Sequence, residues 1–189
     1  MSLGDGKDKN TMSKAEKEVQ DYLSIIYKVE MGEVSLDDSP EIFGAYHDAT
    51  KYLAHYPSEF PLESISYLLP VFDDERFINP DQVELMEMIL GIAYSHGEKG
   101  FDFFIKHFCL IPDTGRFVGI QSALRMLIDW DDDYSVLLSK VLPKQTDEVK
   151  NQIFQKLEGV EIDEVGNIDP QCLAWKEKFI NIMNSASNS

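Results

Sequence analysis

The sequence predicts an all-α protein, built either as stacked antiparallel helix pairs in a HEAT-like α-solenoid or as a multi-helix bundle. Three observations support this class. Apolar residues recur at helical intervals along most of the 189 residues. Helical segments close repeatedly on an apolar pair followed by proline. Three helix starts are each marked by an N-cap residue followed by proline at the first helical position, at Ser39-Pro40, Asn79-Pro80 and Asp169-Pro170.

A chain of this length can bury one substantial core and is most simply a single domain. We expect residues 1–12, which are polar and contain glycine, to be disordered, residues 13–183 to form the helical domain, and residues 184–189 to be a disordered tail. Ser13 and Glu16 have the spacing of a capping box. The first helix is therefore expected over residues 14–31.

The second helix is expected over residues 40–56, since Pro57 ends it, and the next begins at Pro61. The segment from Pro80 is apolar almost all round, which predicts a central helix that packs on more than one side. Residues 96–100 are expected to form a tight connection to a helix that ends before Pro112.

Further helices are expected over residues 117–128, 134–142 and 146–158, and from Pro170 onward. Residues 159–168 differ from the rest, because apolar residues alternate around Gly166-Asn167. This pattern predicts either a short hairpin or an ordered loop.

The apolar pair followed by proline occurs at Leu68-Leu69-Pro70, Leu110-Ile111-Pro112 and Val141-Leu142-Pro143. Each motif closes what looks like a helix–turn–helix unit. A period of roughly 30–45 residues with two helices per unit is typical of stacked helical arrays. The uneven spacing keeps a plain multi-helix bundle open as the alternative.

The formal net charge is −17, from 17 lysines and arginines against 34 aspartates and glutamates. This charge disfavours binding to nucleic-acid phosphates and to anionic membranes, and it favours a basic protein partner. It is also compatible with a general role in solubility. With no apolar run of membrane-spanning length and no signal-peptide pattern, we expect a cytoplasmic protein. Cys109 and Cys172 are expected to be reduced, because they have no motif spacing.

The most unusual segment places four carboxylates in five residues with two aromatic rings, at Asp129, Trp130, Asp131, Asp132, Asp133 and Tyr134. As a calcium loop it would need glycine and a bidentate glutamate where Tyr134 and Lys140 stand, so that interpretation is disfavoured. Asp132 or Asp133 could cap the next helix. The functional interpretation is a docking surface for a basic protein, since aromatic residues anchor interfaces and charges steer encounter.

A second acidic turn supplies three further candidates for partner binding: Asp73, Asp74 and Glu75. Five tyrosines (Tyr46, Tyr52, Tyr56, Tyr67 and Tyr94) could line a groove or pack at the edge of the core.

No catalytic motif, metal-ligand spacing or phosphate-binding loop occurs in the sequence. His47 and His55 are eight residues apart, two turns along one helix face, and are expected to be ordinary surface residues rather than metal ligands. We therefore predict no enzyme activity, no cofactor and no metal.

The pattern running from Leu68-Leu69-Pro70 through Phe72-Asp73-Asp74-Glu75, residues 85–90, residues 100–111 and residues 123–128 resembles small helical immunity proteins of bacterial polymorphic toxin systems. The resemblance covers residues 60–142. It implies a stoichiometric inhibitor whose acidic face covers a basic toxin, commonly a nuclease. A helical adaptor for another cytosolic protein would have the same composition, and a metal-dependent hydrolase is the less favoured alternative.

Overall fold

The computed structural model describes residues 14–74, 81–130, 132–163 and 165–185. Within these residues the chain forms nine α-helices and no β-strand, which confirms the predicted all-α class. The helices are α1 (Lys14–Glu30), α2 (Pro40–His55), α3 (Glu63–Leu68), α4 (Asp81–Ser95), α5 (Gly97–His107), α6 (Ser122–Arg125), α7 (Asp132–Val141), α8 (Asp147–Lys156) and α9 (Pro170–Asn184). The predictions for residues 1–12, for Ser13 and for Asn79-Pro80 lie outside the described residues, as does most of the predicted tail.

Two of the predicted helix starts form as expected, because the capping side chain and its backbone partners are close in sequence. The Ser39 hydroxyl accepts a hydrogen bond from the Ile42 N–H at 3.2 Å and begins α2. The Asp169 carboxylate accepts from the N–H groups of Gln171 at 2.8 Å and Cys172 at 3.2 Å, and begins α9. Each bond satisfies a backbone donor that the helix itself leaves without a partner.

Helix α4 is the centre of the fold. It contacts α2, α3, α5, α6 and the 3₁₀ turn Pro57–Glu59. Its buried side chains are Leu85, Met86, Ile89, Leu90, Ile92 and Ala93. The prediction of a central helix packed on more than one side is therefore confirmed. In the described parts of the chain, no helix has both the length and the apolar character needed to cross a membrane.

The connection predicted over residues 96–100 is wrong. Only His96 separates α4 from α5, and Gly97–Gly100 form the first turn of α5. A Cβ atom at Gly100 would lie 2.0 Å from the carbonyl oxygen of Ala93. The glycine that suggests a turn is therefore required where the start of α5 lies directly against α4.

The chain from Arg116 to Trp130 is helical throughout but is not a uniform α-helix. Arg116–Gln121 and Met126–Trp130 are π-helical turns on either side of α6. Such turns hold one extra residue in the i→i+5 pattern and are rare. They bury Val118, Ile120, Leu127 and Ile128, so their apolar residues still face the core.

The repeated apolar pair and proline mark a common local structure. A 3₁₀ turn follows each of three helices: Leu69–Val71 follows α3, Phe108–Leu110 follows α5 and Leu142–Lys144 follows α7. The first two turns contact one another, and the third contacts α9. The motif therefore ends helices at points where they meet other elements.

Residues 159–163 and 165–168 belong to an ordered loop, and the described part of it has a single antiparallel bridge, between Ile162 and Ile168. The Asp163 carboxylate accepts from the N–H groups of Val165 at 3.0 Å and Asn167 at 2.7 Å. Of the two predicted structures, the ordered loop is the one that forms. Just before this bridge, the Glu161 carboxylate accepts a hydrogen bond from the Lys176 ammonium on α9 at 2.7 Å.

Candidate functional site

The acidic segment predicted to bind a partner lies where the helical stretch 116–130 gives way to α7. Asp129 and Trp130 are exposed in the last π-helical turn, and Asp132 and Asp133 are exposed in the first turn of α7. Asp131 lies outside the described residues. Since α7 begins at Asp132, neither Asp132 nor Asp133 occupies the N-cap position that the sequence suggested. They lie instead at the positive end of the helix dipole.

Trp130 is the large aromatic side chain of this segment that remains at the surface. It is 53% exposed, and the Arg125 guanidinium lies over its ring, 5.0 Å from the ring centroid. A cation over one face of an indole is attracted to it and restricts its orientation. Trp130 therefore presents a ring of defined orientation beside the exposed carboxylates.

Tyr134 is less exposed than Trp130. Its side chain is partly buried against the core. The ring centroid lies 5.5 Å from that of Tyr94 and 5.6 Å from that of Phe101. These contacts link α7 to α4 and α5, and the role of Tyr134 as a partner anchor stays a prediction.

The second acidic turn has a structural role that the sequence did not reveal. The Asp74 carboxylate accepts hydrogen bonds from the N–H groups of Phe117 and Val118 at 2.9 to 3.0 Å. It therefore caps the start of the helical stretch 116–130, and its role as a partner-binding residue stays a prediction. Asp73 is partly buried, and Glu75 lies outside the described residues.

The two acidic turns are not brought together. Asp74 caps the first turn of the stretch 116–130, whereas Asp129 and Trp130 belong to its last turn. At a rise of 1.5 Å or less per residue, the two ends of this stretch are separated by roughly 15 to 20 Å. The described residues of the two acidic turns therefore lie at opposite ends of this stretch.

The structure instead shows a groove along the exposed face of α4, which we call the α4 groove. It lies between α2 and α7 and consists of three adjoining hollows of about 340, 350 and 530 Å³. Its defining residues are Phe43, His47, Ala54 and Pro57 on the α2 side, Glu84, Glu87, Met88, Gly91 and Tyr94 on α4, and Asp133, Tyr134 and Val136 on α7.

The first two hollows are continuous because they share residues, and the third adjoins the second across a pair of aromatic rings. The first two both include Ala54, Glu84 and Met88. Tyr134 lines the second hollow and Tyr94 lines the third, and their ring centroids are 5.5 Å apart. Within the third hollow, the Tyr94 hydroxyl donates to the Asp133 carboxylate at 3.0 Å. The acidic start of α7 therefore forms one end of the α4 groove.

Sequence reasoning missed the α4 contribution to this groove. Glu84, Glu87, Gly91 and Tyr94 follow one another at intervals of three and four residues, so they share one face of α4. That stripe was a readable signal, but the apolar residues between its members concealed it. Only the fold shows that α2 and α7 flank this face.

The five tyrosines considered as a groove lining do not form a single stripe. Tyr52 contacts Tyr22 and Tyr56, and Tyr67 contacts Tyr27. Tyr46 is buried and donates a hydrogen bond to the buried Glu30 carboxylate. A hydrogen bond to Glu59 raises the pKa of Tyr52 to about 12. Of these five tyrosines, only Tyr46 and Tyr94 line the α4 groove.

Three histidines, His55, His96 and His107, hydrogen-bond to backbone carbonyl groups. His55 and His107 each donate a ring N–H to a backbone carbonyl one helical turn earlier, at 2.8 Å. In the described part of the chain, no group of three or more histidine, cysteine or carboxylate side chains is placed to hold a metal ion. Burial raises the pKa of the Cys172 thiol to about 11, which keeps it protonated and unreactive at neutral pH.

The chain gives no match when compared with protein-family models, with curated proteins and with solved structures.

Proposed function

We propose that this chain is a non-enzymatic, acidic protein-binding module that acts as an immunity protein, neutralising a basic toxin by covering it. One observation carries the proposal. The α4 groove is lined by apolar side chains together with Glu84, Glu87 and Asp133, and the exposed Asp132 precedes Asp133 in the first turn of α7. Apolar area supplies affinity while carboxylates select a cationic partner and accelerate encounter.

The net charge of −17 supports a positively charged partner, because the electric field of the whole molecule attracts a basic protein before contact. The resemblance of residues 60–142 to immunity proteins suggests which basic protein, a toxin domain and commonly a nuclease. We propose the cytoplasm as the compartment, which the two free cysteines support.

The test uses the product of the neighbouring gene as the first candidate partner, with association and dissociation rates measured on the purified pair. Asp132→Asn with Asp133→Asn removes two charges from the first turn of α7. The matched control, Asp147→Asn with Glu148→Gln, removes two charges from the first turn of α8, which contributes none of the groove residues named above. Both pairs lose the same favourable interaction with a helix dipole.

We expect the α7 pair to slow association severalfold at low salt and the α8 pair to have a smaller effect, with the difference shrinking as ionic strength rises. Trp130→Ala should mainly accelerate dissociation, since anchors act on the lifetime of a complex. Equal effects of the two charge pairs at low salt would overturn the proposal. A partner that binds but keeps its own activity would favour an adaptor over an immunity protein.

A further inference from the structure

The shape of the α4 groove limits what can occupy it. From Glu84 to Tyr94 it follows about 15 Å of α4, given a rise of 1.5 Å per residue. Met88 lines the first two hollows, Gly91 lines the second and Tyr94 lines the third, and these three residues are about one helical turn apart along α4. This spacing matches the i, i+3/i+4 and i+7 anchors of an amphipathic helix.

The charge of the lining selects among occupants. Among the described groove residues there are more carboxylates than lysines. The carboxylates are those of Glu84, Glu87 and Asp133, and the lysine is Lys51. A second copy of this chain would bring a further −17 charges to that surface. Like-charge repulsion therefore disfavours self-association, and a cationic segment is complementary.

The local backbone argues against an extended segment. An extended peptide gains affinity by adding to an exposed sheet edge. The described residues contain one isolated bridge, between Ile162 and Ile168, and that bridge is not among the groove residues. At the groove, the backbone groups of α2, α4 and α7 are committed to their own helices, so affinity must come from side chains filling the hollows.

The floor is suited to such side chains. Met88 is half buried between two of the hollows, and its unbranched thioether adapts to the shape of an incoming group. Gly91 adds no side chain to the middle hollow, which leaves space there beside Pro57. We propose that the α4 groove binds a basic amphipathic helix of the partner protein, with apolar anchors in the three hollows and lysine or arginine beside Glu84, Glu87 and Asp133.

This inference rests on the proposed function but is tested without the natural partner. The probe is a labelled peptide of about 14 residues, about 20 Å long as a helix, with leucines at helical spacing and lysines elsewhere. The control peptide has the same composition in an order that leaves no apolar face. We expect the amphipathic peptide to bind at least about tenfold more tightly than the scrambled one, since only it can place anchors in the hollows.

Two sets of variants locate the site. A Cβ at Gly91 would meet Pro57 at 3.6 Å, an ordinary contact, so Gly91→Ala should leave the fold intact. Gly91→Leu fills the middle hollow and should weaken the amphipathic peptide about tenfold relative to Gly91→Ala. Glu84→Gln with Glu87→Gln changes two exposed side chains and should also weaken it, without depending on tolerance at Gly91.

Several results would overturn the inference. Equal binding of the two peptides would mean that charge alone attracts them, and the proposed function could then still hold through the α7 acids. Unchanged binding to both Gly91→Leu and the glutamine pair would place the peptide elsewhere. Sedimentation showing self-association that Gly91→Leu abolishes would assign the groove to a second copy of the chain.

Discussion

Asp74 and Phe117 are 43 residues apart, yet one carboxylate supplies the hydrogen bonds that begin the helical stretch leading to Trp130. Sequence patterns identify caps when donor and acceptor are neighbours, as at Ser39 and Asp169. A cap that reaches across the fold leaves no local pattern. For that reason Asp74 looked like one more surface acid.

Replacing Asp74 with alanine should lower the free energy of unfolding by about 1 to 3 kcal/mol, because the N–H groups of Phe117 and Val118 lose their acceptor at a partly buried site. Asp74→Asn keeps one carbonyl oxygen and should lose less. Urea unfolding of the three proteins measures both differences. Alanine and asparagine variants that both match the original chain would contradict the capping role.

At the scale of helices, the sequence predicted where a helix starts better than where two helices join. Proline after an N-cap residue fixes a helix start through backbone geometry alone, and α2 and α9 begin where this pattern predicts. The junction of α4 and α5 was misplaced because glycine permits turns and also permits close approach. The sequence does not distinguish these uses, since the neighbour of Gly100 is the carbonyl of Ala93 on another helix.

Gly100, at the contact between α4 and α5, and Gly91, in the α4 groove, should respond oppositely to substitution by alanine. Gly100→Ala should destabilise the protein by about 1 to 3 kcal/mol, because the new methyl group must displace backbone 2.0 Å away. Gly91→Ala has room and should be neutral or stabilising by up to about 1 kcal/mol through helix propensity. Thermal unfolding of both variants tests this, and a Gly100→Ala protein as stable as Gly91→Ala would refute the close-contact interpretation.

At the scale of the whole molecule, the sequence predicted the class, the central helix and the sign of the charge. It did not predict the α4 groove, whose sides come from α2 and α7. Composition and net charge are sums over the sequence, so they do not depend on how the chain folds. A concave surface depends on which helices become neighbours, and this information lies in contacts between distant residues.

The excess of carboxylates should also make stability depend on salt. Like charges repel in the compact state, and added salt screens that repulsion. We expect the midpoint of thermal unfolding to rise as NaCl increases from about 0.02 to about 0.5 M, with KCl giving the same rise if screening is the cause. A midpoint that falls, or that differs between the two salts, would show that specific ion binding or surface ion pairs dominate.

The π-helical turn Met126–Trp130 has a consequence for how this molecule can vary through evolution. A π-turn is an α-helical turn that has gained one residue. Losing one residue there would restore α-geometry, and because the wider π-turn already absorbs the extra residue, the chain after it would keep nearly the same rotation about the helix axis. The acids of α7 would then still face the same direction. The π-turn is therefore a place where one residue can be lost without redirecting the acidic end of the α4 groove.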